Sequence, residues 1–114
     1  MSCLFNSLSF YIKLDSGQIR HLICEYLMEN KPIIDGMETQ AVLQLDGADY
    51  IAKMRSPSTW GGAVEIQCAC NIWSTKIVVF NQRDRTTIEF LPMNGLFMSV
   101  ISLYWTGGHY EPRP

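Results

Sequence analysis

The chain has 114 residues, of which 47% are hydrophobic and 18% charged. This length suits one domain over residues 1–114, and the hydrophobic share is sufficient for a core, which excludes a disordered protein. A net charge of −2 without any basic run argues against nucleic-acid binding. No stretch approaches a membrane span and the N-terminus lacks a secretory pattern, so we expect a soluble, cytoplasmic protein, most simply a monomer.

The first half of the sequence is helical in its periodicity. Apolar residues recur at helical spacing over Cys3 to Leu14, and a second helix follows through about Asn30. Asp15 and Ser16 between them are typical helix-capping residues. The stripe expected to be buried on the second helix comprises Ile19, Leu22, Ile23, Tyr26 and Leu27.

The middle of the chain is less regular and acidic. Four carboxylates lie between Asp35 and Asp49, which predicts either a solvated face or a surface that attracts a basic partner. Short helices are expected over Glu38 to Leu45 and Gly47 to Met54. A firmer helix is expected over Ala63 to Ile72, with Val64, Ile66, Ala69 and Cys70 buried.

The last third changes to the pattern of β-strands. Strands are predicted over Lys76 to Asn81, Thr86 to Phe90 and Ser99 to Trp105, where β-branched and aromatic residues are concentrated. Helices first and strands last indicate an α+β fold, with helices packed around a small, mainly antiparallel sheet.

The four cysteines do not have the spacing of a metal site. Cys68 and Cys70 are two positions apart rather than three, and no suitably spaced histidine pair accompanies them. We therefore expect no metal, no cofactor and reduced thiols. Cys24, Cys68 and Cys70 fall on or beside apolar helix faces and are interpreted as small buried hydrophobes.

Cys3 and His109 are a candidate nucleophile and base. Cys3 begins a predicted helix, where unpaired amides and the helix dipole favour a thiolate. His109 follows Gly107-Gly108 at the end of a predicted strand, and Glu111 lies two residues farther on. A thiolate attacks a carbonyl, an imidazole moves the proton, and a third group orients the imidazole. On spacing alone, an ordinary turn around His109 is the simpler interpretation.

Three separate segments resemble the ovarian-tumour (OTU) cysteine proteases, in that family's order. The first is Cys3-Leu4-Phe5-Asn6-Ser7-Leu8, which opens a helix. The second runs from Trp60-Gly61-Gly62 into Ala63-Val64-Glu65-Ile66-Gln67-Cys68-Ala69, and is followed by the strand-like Lys76-Ile77-Val78-Val79-Phe80. The third is His109-Tyr110-Glu111, similar to the family's histidine followed by an aromatic residue and an acid.

This resemblance implies a papain-like α+β fold and a thiol isopeptidase that cuts after the C-terminal glycine of ubiquitin or a ubiquitin-like protein. By that match Cys3 is the nucleophile, His109 the general base and Glu111 the acid that orients it, where an aspartate is commoner. The residues implied to line the channel for the ubiquitin tail are Trp60, Gly61, Gly62 and Tyr110. The acidic stretch would then meet the basic surface around that tail.

The residues before Cys3 depart from the family pattern. The cysteine is normally preceded by Asp-Gly-x, whereas only Met1 and Ser2 stand there. Either the domain belongs to a longer protein, or backbone amides near Cys3 form the oxyanion hole. This departure motivates one alternative, a catalytically impaired, ubiquitin-binding module. The short length motivates another, compatible with protease activity: a viral protease that processes its own polyprotein.

Overall fold

A computed structural model describes residues 3–29, 50–56, 59 and 61–113. In this part of the chain the helices precede the strands, as predicted, and the fold is α+β. The helices are α1 (Cys3–Tyr11), α2 (Ser16–Met28), α3 (Tyr50–Met54) and α4 (Ala63–Trp73). The strands are β1 (Thr75–Asn81), β2 (Thr86–Phe90), β3 (Ser99–Trp105) and β4 (Tyr110–Pro112). The helix predicted over Glu38 to Leu45 and the acidic stretch lie outside the described residues.

The capping interaction between α1 and α2 explains where α1 ends and where α2 begins. Asp15 caps α2: its carboxylate accepts from the Gln18 amide at 2.8 Å, and the Gln18 side chain accepts from the Asp15 amide at 3.0 Å. The cap requires an extended backbone at Asp15. The chain must therefore leave the helix before reaching it, and α1 ends at Tyr11 rather than at the predicted Leu14.

The four described strands form one mixed sheet in the order β2-β1-β3-β4. The pairs β1–β2 and β3–β4 are antiparallel, which agrees with a mainly antiparallel sheet, whereas β1–β3 is parallel. The parallel pair aligns Val79 with Leu103, and the final pair aligns Trp105 with Tyr110. Strand β4 has only three residues, too few for a period-two pattern to reveal it in the sequence.

The core lies between one face of this sheet and the helices. Its fully buried large residues come from α1, α2, α4, β1 and β3: Leu4, Phe5, Leu8, Ile19, Ile23, Ile66, Ile77 and Leu103. The buried stripe predicted for α2 was wrong at Leu22, which is 39% exposed, whereas Arg20 is only 5% exposed. The buried face of α2 is rotated toward Arg20 and Cys24 because α2 packs against α3 and α4 as well as α1. The prediction was also wrong at Val64, which is only partly buried.

Candidate active site

Cys3 is the first residue of α1 and is partly exposed. The first turn of this helix is anchored in the hydrophobic core, because the side chains of Leu4 and Phe5 are both 0% exposed. The Ser7 hydroxyl donates to the Cys3 carbonyl at 2.8 Å. The first amides of any helix lack intrahelical partners and lie at the positive end of its dipole. Cys3 therefore lies at the start of a helix whose first turn is anchored in the core.

The other three cysteines are buried, as predicted. Cys24, Cys68 and Cys70 have no exposed surface. Burial raises the pKa of all three thiols, that of Cys70 to about 12, and the charge of Glu65 raises that of Cys68 further. Thiols with such pKa values stay protonated at neutral pH and are poor nucleophiles. Cys3 is therefore the one cysteine of the four that is not buried.

His109 lies in the short connection between β3 and β4. The Thr106 amide donates to the His109 carbonyl at 3.0 Å, which closes the turn. Gly107 has a φ of +106°, a conformation that disfavours any residue with a Cβ. A Cβ at this position would also lie 2.4 Å from the Arg83 side chain of the β1–β2 turn. The connection over residues 106–109 is thus held by its own hydrogen-bonded turn and packs against the β1–β2 hairpin.

Glu111 lies beside His109 on the same side of the chain. The His109 Nε2 and Glu111 Oε1 atoms are 3.7 Å apart, and both side chains are about half exposed, at 54% and 53%. This separation allows an electrostatic attraction but exceeds hydrogen-bond distance. Because solvent screens exposed pairs, the contact is weak as it stands.

Tyr110 connects the two ends of the chain. It is the first residue of β4, follows His109 directly and packs against the core. Burial raises the pKa of its phenol, and the nearby charges of Cys3 and then Glu65 raise it further. Helix α1 packs against β4. The helix that begins with Cys3 therefore contacts the strand that follows His109, although the two are at opposite ends of the sequence.

The glycine segment reaches the same helix turn. A Cβ at Gly61 would lie 2.6 Å from Leu4 Cδ2 and 3.1 Å from two atoms of the Phe5 ring. The backbone of Gly61 therefore lies directly on the turn that begins with Cys3, in a position that only glycine fits. Gly62 caps α4. Trp60, which the sequence also assigned to this site, lies outside the described residues.

Two buried charged residues behind the glycine segment were not singled out from the sequence. Arg20 and Glu65 are buried among apolar neighbours and bind the segment around Gly61 and Gly62. The sequence does contain a signal for the burial of Arg20. Arg20 precedes the buried Ile23 and Cys24 by three and four positions, so it lies on the apolar face of its helix. Glu65 stands in the same relation to Cys68 and Ala69.

Neither a metal centre nor a membrane span is found in the described part of the chain. Residues 3–29, 50–56, 59 and 61–113 contain no group of three or more histidine, cysteine, aspartate or glutamate residues placed to hold an ion. Among the same residues, no helix has the length and apolar character needed to cross a bilayer.

Comparison with known proteins identifies the family. The sequence profile of the OTU-like cysteine proteases matches residues 2–110, nearly the whole chain. This chain belongs to the OTU-like cysteine proteases. The match includes Cys3, the glycine segment and His109.

Curated relatives of this OTU domain share between a quarter and a third of its residues. It is 29% identical over 112 residues to the OVARIAN TUMOR DOMAIN-containing deubiquitinating enzyme 10 of Arabidopsis thaliana, covering 96% of this chain and 31% of that protein. It is 28% identical over 116 residues to the ubiquitin thioesterase Otu1 of Drosophila melanogaster, covering 97% and 32%. The chain thus spans about a third of the length of these relatives.

Solved structures of OTU domains have the same fold. An OTU domain in complex with ubiquitin superimposes with a TM-score of 0.79 at 22% identity, covering 97% of this chain and 62% of that chain. The viral OTU domain protease from Dera Ghazi Khan virus gives 0.72 at 23% identity, covering 97% and 72%. At these identities the likeness concerns the fold, and it confirms the α+β architecture predicted from the sequence.

Proposed function

We propose that this OTU domain is a cysteine-type deubiquitinase that hydrolyses the bond after the C-terminal glycine of ubiquitin or a ubiquitin-like modifier. The observation that carries the proposal is the packing of two distant segments on the helix that begins with Cys3. Gly61 packs on the first turn of α1, and strand β4, which follows His109, packs against the same helix. The named activities of the curated relatives and the ubiquitin-bound fold neighbour support the same conclusion.

In the proposed reaction, the Cys3 thiolate attacks the carbonyl carbon of the terminal glycine. A tetrahedral intermediate forms, and its oxyanion is stabilised by backbone amides at the start of α1. His109 accepts the thiol proton and gives it to the departing amine, which leaves a thioester on Cys3. His109 then activates water, which attacks the thioester and releases the free carboxylate. Glu111 is the residue proposed to orient His109.

The substrate tail is proposed to lie against the glycine segment. Gly61 packs directly on the first turn of α1, so a tail bound along this segment would lie beside Cys3. Trp60, Gly62 and Tyr110 are proposed to line the path of the tail with Gly61.

The proposal is tested with ubiquitin that carries a C-terminal electrophile. The intact mass of the mixture should show one ubiquitin added to the wild-type domain and none added to Cys3→Ala. The matched control is Cys70→Ala, which removes a buried thiol and should leave the adduct unchanged. Wild-type protein that forms no adduct, while iodoacetamide still labels Cys3, would refute a ubiquitin-directed protease.

A second candidate is a ubiquitin-binding module without turnover. The specific observation in its favour is the half-exposed His109–Glu111 pair, whose 3.7 Å separation is too long for a hydrogen bond. Binding of unmodified ubiquitin by titration calorimetry, combined with no adduct and no cleavage of a ubiquitin conjugate, would support this candidate over the first. Adduct formation that requires both Cys3 and His109 would exclude it.

A further inference from the structure

Two buried side chains of opposite charge lie behind the glycine segment. Arg20 on α2 is 5% exposed and Glu65 on α4 is 1% exposed. Burial lowers the pKa of Arg20, whereas the nearby charge of Glu65 raises it, so the two groups act on each other. Buried charges are costly unless they are paired and hydrogen-bonded. Arg20 and Glu65 therefore need polar partners in this core. The hydrogen bonds described below join both residues to α3 and to the chain that leads from α3 into α4.

Arg20 binds the last residue of α3 and the loop that follows it with both terminal nitrogens of its guanidinium. Nη1 donates to the Met54 carbonyl at 2.7 Å, and Nη2 donates to the Thr59 carbonyl at 2.9 Å. The same group stacks over the Phe5 ring, 4.2 Å from its centroid. One planar side chain thus connects two backbone carbonyls of the segment with the first turn of α1.

Glu65 holds the same segment at its two ends. Its carboxylate accepts from the Gly62 amide at 2.7 Å and from the hydroxyl of Tyr50, the first residue of α3. Gly61 lies between the points held by Arg20 and Glu65, and it contacts the Phe5 ring on which Arg20 stacks. The two charges therefore hold Tyr50, Met54, Thr59 and Gly62, which lie at the two ends of α3 and on either side of Gly61.

We propose that Arg20 and Glu65 are positioning residues that fix the Gly61-Gly62 backbone against the first turn of α1 and so shape the path of the substrate tail beside Cys3. This inference rests on the function proposed above. Neither residue contacts the reacting atoms; both act through the glycine segment. An arginine is needed because lysine has no planar fork that binds two carbonyls and stacks on a ring at once.

The test compares two reagents on folded Arg20→Lys protein. Ubiquitin with a C-terminal electrophile needs the tail path, whereas iodoacetamide needs only the Cys3 thiolate. We expect Arg20→Lys to slow ubiquitin adduct formation between about 10- and 100-fold, because small displacements at a site have effects of this size. The rate of Cys3 alkylation should stay within about twofold of wild type, since α1 still provides the same thiol environment.

A second variant and a matched control keep the test decisive. Tyr50→Phe is isosteric and removes one hydrogen bond to Glu65; it should slow the ubiquitin reaction by about 2- to 10-fold. If Arg20→Lys does not fold, the Tyr50→Phe variant alone tests the positioning role. Arg55→Lys alters a different link between the same region and α2, the 2.9 Å contact with Glu25, and should leave both rates unchanged.

The outcomes separate this inference from the proposed function. Folded Arg20→Lys or Tyr50→Phe protein that reacts with the ubiquitin electrophile at the wild-type rate would overturn the positioning role while leaving the protease assignment intact. Equal slowing with both reagents would also overturn it, because it would indicate general damage to α1. Wild-type protein that alkylates but never reacts with the ubiquitin electrophile would refute the protease assignment, and the inference with it.

Discussion

The close packing of Gly61 on α1 gives a sharp prediction for two neighbouring glycines. In Gly61→Ala the new Cβ would lie 2.6 Å from Leu4 Cδ2 and 3.1 Å from the Phe5 ring. Both side chains are 0% exposed, so neither can move into solvent. In Gly62→Ala the nearest atom to the new Cβ is the Glu65 carboxylate at 3.9 Å, an ordinary contact.

The cost of Gly61→Ala follows from overpacking. Extra volume in a close-packed core typically destabilises a protein by about 1–3 kcal/mol. For a domain of this length, 1 kcal/mol corresponds to a change in Tm of about 4 °C. We therefore expect the Tm of Gly61→Ala to fall by about 4–12 °C. Gly62→Ala should change the free energy of unfolding by less than about 1 kcal/mol, through the weaker capping preference of alanine.

Thermal unfolding followed by circular dichroism, with urea unfolding as a check, measures both variants. Ubiquitin adduct formation should also slow in Gly61→Ala, because a displaced Phe5 tilts the turn that begins with Cys3. The reasoning is refuted if Gly61→Ala is as stable as wild type, or if Gly62→Ala is the more destabilised of the two. Either result would mean that the glycine segment does not pack on α1 as described.

Three further predictions concern bonds and thiols elsewhere in the fold. Tyr11→Phe should lower the free energy of unfolding by about 1–2 kcal/mol in urea, because its hydroxyl donates to the Ser102 carbonyl at 2.7 Å and accepts from the Arg113 amide at 3.1 Å. Native protein should take up one iodoacetamide group, on Cys3, and three more only after denaturation; several adducts on native protein would contradict the burial of the other thiols. The unfolded state loses its Cys70 proton near pH 9, whereas the folded state keeps it to about pH 12. The free energy of unfolding should therefore fall as the pH rises from 9 to 12. Cys70→Ala should make this fall less steep by about 1 kcal/mol per pH unit.

The helices and strands were largely predictable because their signals are local. The Asp15 cap, the apolar periodicity of α2 and the β-branched content of β1 act within a few residues, and the predicted boundaries of β2 and β3 coincide with those observed. Where a boundary moved, a neighbouring element was responsible, as at the end of α1. The exposure of Leu22 and the burial of Arg20 could not be predicted in this way, because they depend on which elements α2 packs against.

The sequence by itself determined the order of elements, the three inert thiols and the residues that carry the family resemblance, since periodicity, capping and composition are properties of short stretches. Only the tertiary structure decided that β1 and β3 pair in parallel, that β4 exists, and that β4 packs against α1. It also decided that buried charges bracket the glycine segment. The physical reason is that these features arise from packing between residues far apart in the chain, where the free energy belongs to the assembled core rather than to any one segment.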